Sequence, residues 1–314
     1  MRPLLPVAAL LTAAVVAACG GSPATGPPAT VPPATGPPAT VPPATGRGPA
    51  VPQPRARYYL ALGDSLAQGV QADSAGRSVD TRNGYADQVA AALRRRDPGL
   101  RLVKLGCPGE TTATMINGRH CSYLAGSQLA AAGQFLRAHP GHVSLITIDI
   151  GANDPGSCFT SPIHGQVPPC VAGPGPSTAA NLATIMTRLR AAAGRQPRIV
   201  GMSYYAPELA EWRDGRAGQR DARLSELATR VFNEILTRVY ASFGARIADV
   251  SGAFHSTDFT GQITAGGVAR LPRNVAAICA WTWICAAPPR GPNKHPNTAG
   301  YAVIARAFLA ADQR

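Results

Sequence analysis

Short apolar segments alternate with amphipathic stretches from residue 58 onward, and this alternation constrains the fold more than any other feature of the sequence. Five segments have the length and composition of strands: Tyr58–Leu62, Leu102–Leu105, Ser144–Ile150, Ile199–Ser203 and Ile247–Val250. Two of the intervening stretches place apolar residues at helical spacing, the first at Tyr85, Val89, Ala92 and Leu93, the second at Leu224, Ala228, Val231, Ile235 and Val239. Strands that alternate with helices predict a parallel sheet covered by helices on both faces, with a ligand crevice at the carboxyl ends of the strands.

The N-terminal part of the chain is predicted to be an export signal and a spacer. Residues 1–18 combine a positive charge, an apolar run and a small-residue exit, which is typical of a secretory signal peptide. The string V-A-A-C, which ends at Cys19, resembles the lipobox of bacterial lipoproteins and implies that this cysteine is lipidated; an ordinary secretory peptide is the alternative. Residues 19–56 contain a PPATGPPATV repeat, whose prolines favour an extended linker. Residues 57–314 remain as one folded domain.

The charge of the chain bears on its partners. With 30 Lys+Arg against 17 Asp+Glu, the formal net charge is +13, but the positive residues are scattered, and the densest run is Arg94, Arg95 and Arg96. Dispersed positive charge predicts weak attraction to anionic surfaces such as lipid head groups or wall polymers, and we expect no nucleic-acid partner. We expect a monomer.

The cysteines are predicted to form disulfides. Setting Cys19 aside, the other six fall into sequential pairs: Cys107–Cys121, Cys158–Cys170 and Cys279–Cys285. Export into an oxidising space favours disulfides, and we predict these three, although six cysteines can pair in many ways. A zinc site is the competing interpretation. Because there is no C-x-x-C pair and the six histidines are dispersed, we predict no metal.

Three of the predicted strands end in polar motifs. The first runs into G-D-S-L-A-Q-G, which places Ser65 where a helix N-terminus favours an alkoxide and an oxyanion. The second ends in L-G-C-P-G-E-T-T, in which Gly106 lets a main-chain amide approach a ligand. The third ends in I-G-A-N-D, from which Asn153 can point its carboxamide into the same crevice. Each motif alone also suits a helix cap or a turn.

A fourth motif, N-K-H-P-N, lies near the C-terminus and contains His295. Asn297, at the end of this motif, is predicted to cap a final helix through Ala302, Ile304, Ala305 and Phe308. A single histidine in a loop is usually without function, so His295 becomes a candidate only in combination with the strand-end motifs.

The combination of Ser, Gly, Asn and His, in that order, resembles the SGNH family, also called GDSL esterases and lipases, over nearly all of residues 57–314. The resemblance implies a three-layer α/β/α fold with a flavodoxin-like parallel sheet of about five strands. The paired cysteines suggest the exported actinobacterial branch of the family. The implied activity is serine-dependent hydrolysis of carboxylic esters, of esterase or lipase type, outside the cytoplasmic membrane. The implied substrate is an ester or lipid, and no cofactor is implied.

The resemblance also assigns roles to individual residues. Ser65 is the implied nucleophile and His295 the general base. The main-chain amides of Ser65 and Gly106, with the side chain of Asn153, are the implied oxyanion hole. The supporting residues are Asp64 and Asp154.

The sequence departs from the family pattern D-x-x-H, because the position three residues before His295 is Pro292. Asn293 is out of register with that pattern by one residue. Some relatives use a Ser-His dyad in which a main-chain carbonyl replaces the acid, and a carbonyl that accepts from Nδ1–H still enforces the reactive tautomer. We predict that residues 281–292 supply this carbonyl.

Several alternatives stay open. A distant carboxylate, such as Asp258 or Asp154, would fold in beside His295. The same chemistry serves a deacetylase or esterase of cell-envelope sugars. The chain would otherwise be a catalytically silent binding lipoprotein with the same fold. We expect localisation at the outer face of the cytoplasmic membrane through Cys19, or secretion.

Overall fold

The computed structural model describes residues 57–154, 176–261, 263–265 and 269–313. The predicted signal peptide (1–18), the linker (19–56) with Cys19, and the predicted Cys158–Cys170 pair lie outside the described residues.

The described chain alternates strands and helices, as predicted. In chain order the strands are β1 (Tyr58–Gly63), β2 (Gln71–Ala72), β3 (Ser78–Val79), β4 (Arg101–Lys104), β5 (Val143–Asp149), β6 (Arg198–Met202), β7 (Arg246–Ala248), β8 (Ile263–Ala265), β9 (Ala269–Leu271), β10 (Thr282–Trp283) and β11 (Asn293–Pro296). The helices are α1 (Ser65–Gln68), α2 (Tyr85–Arg94), α3 (Thr112–Asn117), α4 (Gln128–Ala138), α5 (Pro176–Ala193), α6 (Gly215–Ser242), α7 (Val250–Ala253), α8 (Arg273–Trp281) and α9 (Thr298–Gln313), with a 3-10 helix at Pro207–Asp214.

A five-stranded parallel sheet in the order β4-β1-β5-β6-β7 forms the centre of the fold. This is the flavodoxin-like order, and it confirms the predicted fold class. Helices cover both faces of the sheet in a three-layer arrangement; α2 packs on α9, and α3, α4 and α6 pack around α5. The central strands are buried along almost their whole length, which explains why they read as continuous apolar runs.

The buried face of α6 differs from the predicted one by about one residue. Of the five apolar positions predicted to face the core, only Ala228 is buried. The aromatic side chains of Phe232 and Tyr240 reach the core instead, and a Cβ at Gly201 of β6 would lie 2.5 Å from the Tyr240 ring. The largest side chains therefore set the rotation of this helix, because they have the most apolar area to bury.

Two predicted disulfides lie within the described residues, and both are present. Cys107–Cys121 links the segment after β4 to the loop before α4. Cys279–Cys285 encloses β10, the short strand that pairs with β11. Asn297 caps α9 as predicted, since its Oδ1 accepts from the Gly300 amide at 3.0 Å. Among the described helices, none is both long enough and apolar enough to cross a membrane.

Candidate active site

Ser65 begins α1, directly after β1 at the carboxyl edge of the sheet. Asp64 is the N-cap of this helix, because its Oδ1 accepts from the Leu66 amide at 2.9 Å. The Ser65 side chain therefore lies at a helix N-terminus, where the free amides and the helix dipole favour negative charge.

The structure brings Ser65 and His295 together across 230 positions of sequence. The Ser65 hydroxyl lies 2.9 Å from His295 Nε2 and 3.5 Å from Asp64 Oδ1. A hydroxyl has one proton to donate, and the shorter distance assigns it to the imidazole. This pairing leaves Nε2 as the acceptor and places the imidazole proton on Nδ1.

The His295 imidazole is held by a side chain two residues earlier. Asn293 Oδ1 lies 2.8 Å from His295 Nδ1 and also accepts from the His295 main-chain N–H at 2.9 Å. The other end of the same carboxamide donates from Nδ2 to Ser78 Oγ at 3.1 Å. Because a main-chain N–H can only donate, these bonds fix the amide with its oxygen toward the imidazole.

The predicted main-chain carbonyl from residues 281–292 does not occupy this position, and that prediction was wrong. Asn293 and His295 belong to β11, and residues two apart in an extended strand have side chains on the same face. The D-x-x-H spacing does not apply to such a strand, so the residue dismissed as out of register is the one that contacts Nδ1.

The two alternative carboxylates are also engaged elsewhere. Asp154 Oδ1 accepts from the Thr112 amide at 2.7 Å, and its Oδ2 accepts from the Thr112 and Thr178 hydroxyls, each at 2.6 Å. Asp154 thus joins α3 to α5 rather than contacting His295. Asp258 binds Thr260 and lies 3.7 Å from the Arg273 guanidinium.

Burial sets the electrostatics of the imidazole. Desolvation lowers the pKa of His295 from 6.5 to about 4, because the buried site disfavours the charged form. Within the described residues, no carboxylate is hydrogen-bonded to the ring. The imidazole is therefore neutral at neutral pH, the state in which it can accept a proton.

Gly106 brings the segment after β4 against the nucleophile helix. A Cβ at this position would lie 2.7 Å from Ala67 Cβ and 2.9 Å from the Asp64 carbonyl oxygen, so only glycine fits. The missing side chain makes room for α1, whereas we expected it to make room for a ligand. In the described part of the chain, no acceptor is hydrogen-bonded to the main-chain N–H of Gly106 or Ser65.

Asn153 follows β5 and points its carboxamide toward the same region. Its Nδ2 donates to the Glu110 carbonyl at 3.1 Å and to Asp64 Oδ2 at a longer 3.4 Å. The structure thus collects the predicted Ser, Gly, Asn and His at one edge of the sheet, where three adjacent strands end.

A cavity of about 160 Å³ opens beside these residues. Its lining comprises Asp64, Ser65, Leu66, Ala152, Asn153, Tyr204, Tyr205, Pro207, Lys294 and His295. The Lys294 ammonium, although at the cavity, donates at 2.7 Å to Glu208, a buried carboxylate on the 3-10 helix. Across residues 57–154, 176–261, 263–265 and 269–313, no three His, Cys, Asp or Glu side chains cluster as a metal site would require.

The flavodoxin-like sheet with a serine hydroxyl and an imidazole paired at its carboxyl edge is the architecture of an SGNH-type hydrolase. The chain belongs to the GDSL-like Lipase/Acylhydrolase family, whose family model matches residues 61–303. This membership supports ester hydrolysis as the class of activity.

Solved structures show the same fold. An extracellular lipase from Streptomyces rimosus is similar over 82% of this chain and 100% of its own, with 18% sequence identity and a TM-score of 0.54. A phospholipase A1 from Streptomyces albidoflavus NA297 is similar over 82% of this chain and 99% of its own, with 19% identity and a TM-score of 0.50. No curated protein matches the chain in sequence.

Sequence reasoning assigned no role to two side chains of the site, Asn293 and Lys294. Asn293 was identifiable from the spacing N-x-H within a short extended segment. Lys294 lines the cavity because β11 passes beside Ser65, and no local pattern in the sequence indicates this.

Proposed function

We propose that the protein is a serine-dependent carboxylic-ester hydrolase in which Ser65 is the nucleophile and His295 the general base. The observation that carries the proposal is the 2.9 Å contact between Ser65 Oγ and His295 Nε2, two side chains that both line the cavity at the carboxyl edge of the sheet. A nucleophile needs a base within this distance, and the base needs a partner that orients it, here Asn293.

Acylation begins when Ser65 Oγ bonds to the ester carbonyl carbon and transfers its proton to His295 Nε2. The carbonyl π electrons move to the oxygen, which becomes an oxyanion. When the tetrahedral intermediate collapses, the bond between carbon and alkoxy oxygen breaks, and the leaving alcohol takes the proton from Nε2. The products are an alcohol and an acyl group bonded to Ser65.

Deacylation repeats these steps with water. His295 Nε2 takes a proton from the water as its oxygen bonds to the acyl carbon. Collapse of the second tetrahedral intermediate returns that proton to Ser65 Oγ and releases the carboxylic acid. Each proton removed by Nε2 is returned within the same half-reaction, so the enzyme needs no cofactor for turnover.

The oxyanion hole is proposed to consist of the main-chain amides of Ser65 and Gly106 and the side chain of Asn153. Neither main-chain amide has an acceptor in the described residues, which leaves both free for the substrate oxygen. The long contact from Asn153 Nδ2 to Asp64 can be exchanged for a shorter one to an oxyanion. One such donor is worth about 3–4 kcal/mol of transition-state stabilisation.

Asn293 takes the place of the missing carboxylate in this proposal. A carboxylate that becomes an amide costs about 10⁴-fold in rate where the amide favours the wrong imidazole tautomer. Here the amide oxygen is turned toward Nδ1 by the His295 main-chain N–H and by Ser78, so the reactive tautomer is kept. What the amide does not supply is a negative charge to stabilise the imidazolium.

The cavity size favours esters of short acyl chains. An apolar protein cavity of about 150 Å³ holds a benzene-sized molecule, so about 160 Å³ accommodates an acyl chain of roughly six carbons. The rings of Tyr204 and Tyr205 and the side chains of Leu66 and Pro207 would contact that chain.

We further propose that the protein acts outside the cytoplasmic membrane and is anchored there through a lipidated Cys19. The Cys107–Cys121 and Cys279–Cys285 disulfides support the oxidising compartment. Radiolabelled fatty acid should be incorporated by the wild-type chain and not by Cys19→Ala; a wild-type chain without label contradicts the lipid anchor.

The enzyme proposal is tested by labelling with a fluorophosphonate and by hydrolysis of p-nitrophenyl esters of increasing acyl length. Ser65→Ala should abolish both. Ser203→Ala, which changes another serine near the carboxyl edge of the sheet, should retain both. Labelling that survives in Ser65→Ala would overturn the assignment. Values of kcat/KM that keep rising with long acyl chains would overturn only the acyl assignment of the cavity.

A further inference from the structure

Two carboxyl groups are buried against each other beneath Ser65. Asp64 follows β1 and Asp149 ends β5, the adjacent parallel strand, where Gly63 pairs with Asp149. Asp64 is 2% exposed and Asp149 is fully buried. The Asp64 main-chain N–H donates to Asp149 Oδ2 at 3.2 Å, and the two carboxyl groups are close enough for the charge of Asp64 to raise the pKa of Asp149.

Gly63 allows this close approach. A Cβ at position 63 would lie 2.0 Å from the Asp149 carbonyl oxygen and 2.7 Å from its carboxyl carbon. The φ of Gly63 is +134°, a conformation that other residues rarely adopt. The main chain at Gly63 thus allows Asp149 to lie against the turn that carries Asp64.

The two carboxyl groups receive different numbers of donors. Asp64 accepts from the Leu66 amide at 2.9 Å, from Tyr204 Oη at 3.3 Å and from Asn153 Nδ2 at 3.4 Å. Asp149 accepts from the Asp64 amide and from the Tyr85 hydroxyl. The group with more donors is the better site for a negative charge, so the anion belongs on Asp64.

No cation compensates the pair. In the regions that the structure describes, neither carboxyl group forms an ion pair with Lys or Arg. The titratable groups around the pair are the imidazole of His295 in β11, which faces Asp64 across Ser65 and is neutral, and six phenols: Tyr59 of β1, Tyr85 of α2, Tyr204 and Tyr205 after β6, Tyr240 of α6 and Tyr301 of α9. Burial raises the pKa of each phenol, so all are neutral. Two buried carboxylates in contact, without a cation, cannot both remain ionised.

We propose that Asp149 is a positioning residue that keeps its proton at neutral pH and donates it in a hydrogen bond to the carboxylate of Asp64. Asp64 is thereby fixed as the N-cap that orients the helix bearing Ser65 and as an anchor for the Asn153 carboxamide. The catalytic part of this inference rests on the proposed function, whereas the protonation of Asp149 does not.

The titration behaviour of the pair agrees with the geometry. Burial, followed by the charge of Asp64, raises the pKa of Asp149 well above its ordinary value. Burial also raises the pKa of Asp64, to about 6, against the lowering effect of its hydrogen bonds. Asp64 therefore ionises first, and the remaining proton belongs to Asp149.

Infrared spectroscopy of the full-length protein tests the protonation directly. At pD 8 ordinary carboxyl groups are ionised, and the wild type should still show the carbonyl stretch of a protonated carboxylic acid. Asp149→Asn should remove this band. Glu110→Gln is the matched control, because Glu110 is another fully buried carboxyl group at the site, and the band should survive in it. A wild type without the band, or a band retained in Asp149→Asn, overturns the proposal.

Kinetics test the positioning role. Asn at 149 can donate to Asp64 from its amide and accept from Tyr85, as the protonated acid does, so Asp149→Asn should retain kcat within about twofold. Asp149→Ala removes the donor beside a charged acceptor and should lower kcat by about tenfold or more, with KM little changed. Equal kcat in both variants overturns the positioning role. If Ser65→Ala is as active as the wild type, the proposed function fails, while the infrared result stands on its own.

Discussion

Asn293 Oδ1 accepts two hydrogen bonds from the same residue, one from the main-chain N–H of His295 at 2.9 Å and one from its Nδ1 at 2.8 Å. The main-chain donor cannot move, so the amide oxygen is turned toward the imidazole whatever the ring does. A neutral side chain thereby selects the tautomer that accepts a proton from Ser65.

Replacing Asn293 by Asp should increase activity. A carboxylate 2.8 Å from Nδ1 would stabilise the imidazolium that forms in the transition state. We expect kcat/KM at pH 8 to rise by about tenfold, a gain of about 1.4 kcal/mol. Asn293→Ala should lower it by about a hundredfold, because the ring loses its orienting acceptor. A fully active Asn293→Ala would contradict the role of Asn293.

In the pH profile of kcat/KM, the loss of activity on the acid side, the acid limb, should occur at low pH. His295 acts as a base only when neutral, and burial lowers its pKa to about 4, so kcat/KM should stay high until the pH approaches that value. In Asn293→Asp the new charge raises the pKa of His295, and the limb should move toward higher pH. Profiles of the two proteins with the same soluble ester provide the measurement, and a limb near 6.5 in the wild type would disagree with a desolvated imidazole.

Removing the Asn153 carboxamide should affect the chemical step. Asn153→Ala takes one donor from the proposed oxyanion hole and should lower kcat by about 10²–10³-fold with a smaller effect on KM. Asn153→Asp is a useful companion variant, because a carboxylate repels the oxyanion and should be at least as damaging. A change in KM alone would mean that Asn153 binds substrate without stabilising the transition state.

The free energy of unfolding should depend on pH in two opposite directions between pH 4 and 7, one set by buried carboxyl groups and the other by His295. The pKa of Asp64 is raised to about 6, so its contribution is fully present below pH 4 and is lost as the pH rises through about 6. The pKa of His295 is lowered, so the unfolded state binds the extra proton, and stability falls as the pH falls from 6.5 toward 4. Urea unfolding of the double variant Asp64→Asn/Asp149→Asn and of His295→Gln between pH 4 and 7 separates the two effects. The first removes both buried acids, whose raised pKa values make stability fall as the pH rises, and the second removes the imidazole, whose lowered pKa makes stability fall as the pH falls.

The Cys279–Cys285 disulfide should support the strand that carries His295. It encloses β10, which pairs with β11 through Thr282 opposite Pro296 and Trp283 opposite Asn293. The double variant Cys279→Ser/Cys285→Ser should lose about 2 kcal/mol of unfolding free energy, the value expected for a short loop. Activity should fall more steeply with temperature than in the wild type. Unchanged activity and Tm would show that the hairpin holds without the bond.

The local sequence pattern was sufficient to predict the strands of the sheet and the polar residues that follow them. The segments that became β1, β4, β5, β6 and β7 were recognisable, with ends shifted by one or two residues. For β1, β5 and β6 the reason is that strands buried on both faces leave uninterrupted apolar sequence. The rotation of α6 was not recognisable, since it depends on where Phe232 and Tyr240 find space in the core. A helical pattern gives the period of the buried face, and packing gives its phase.

The amino-acid order alone fixed the α/β architecture and the candidates Ser65, Gly106, Asn153 and His295, because each of the first three closes an apolar strand and short-range pattern reports such endings. The specific contacts between side chains of the site became visible only in the folded structure. The partner of His295 is Asn293 because β11 is extended there, and Asp149 reaches Asp64 because two neighbouring strands end in register beside Gly63. The contact between Asp149 and Asp64 depends on the pairing of two strands distant in sequence, which no local stretch of sequence encodes. The contact between Asn293 and His295 is local, and it required only that this segment be recognised as extended.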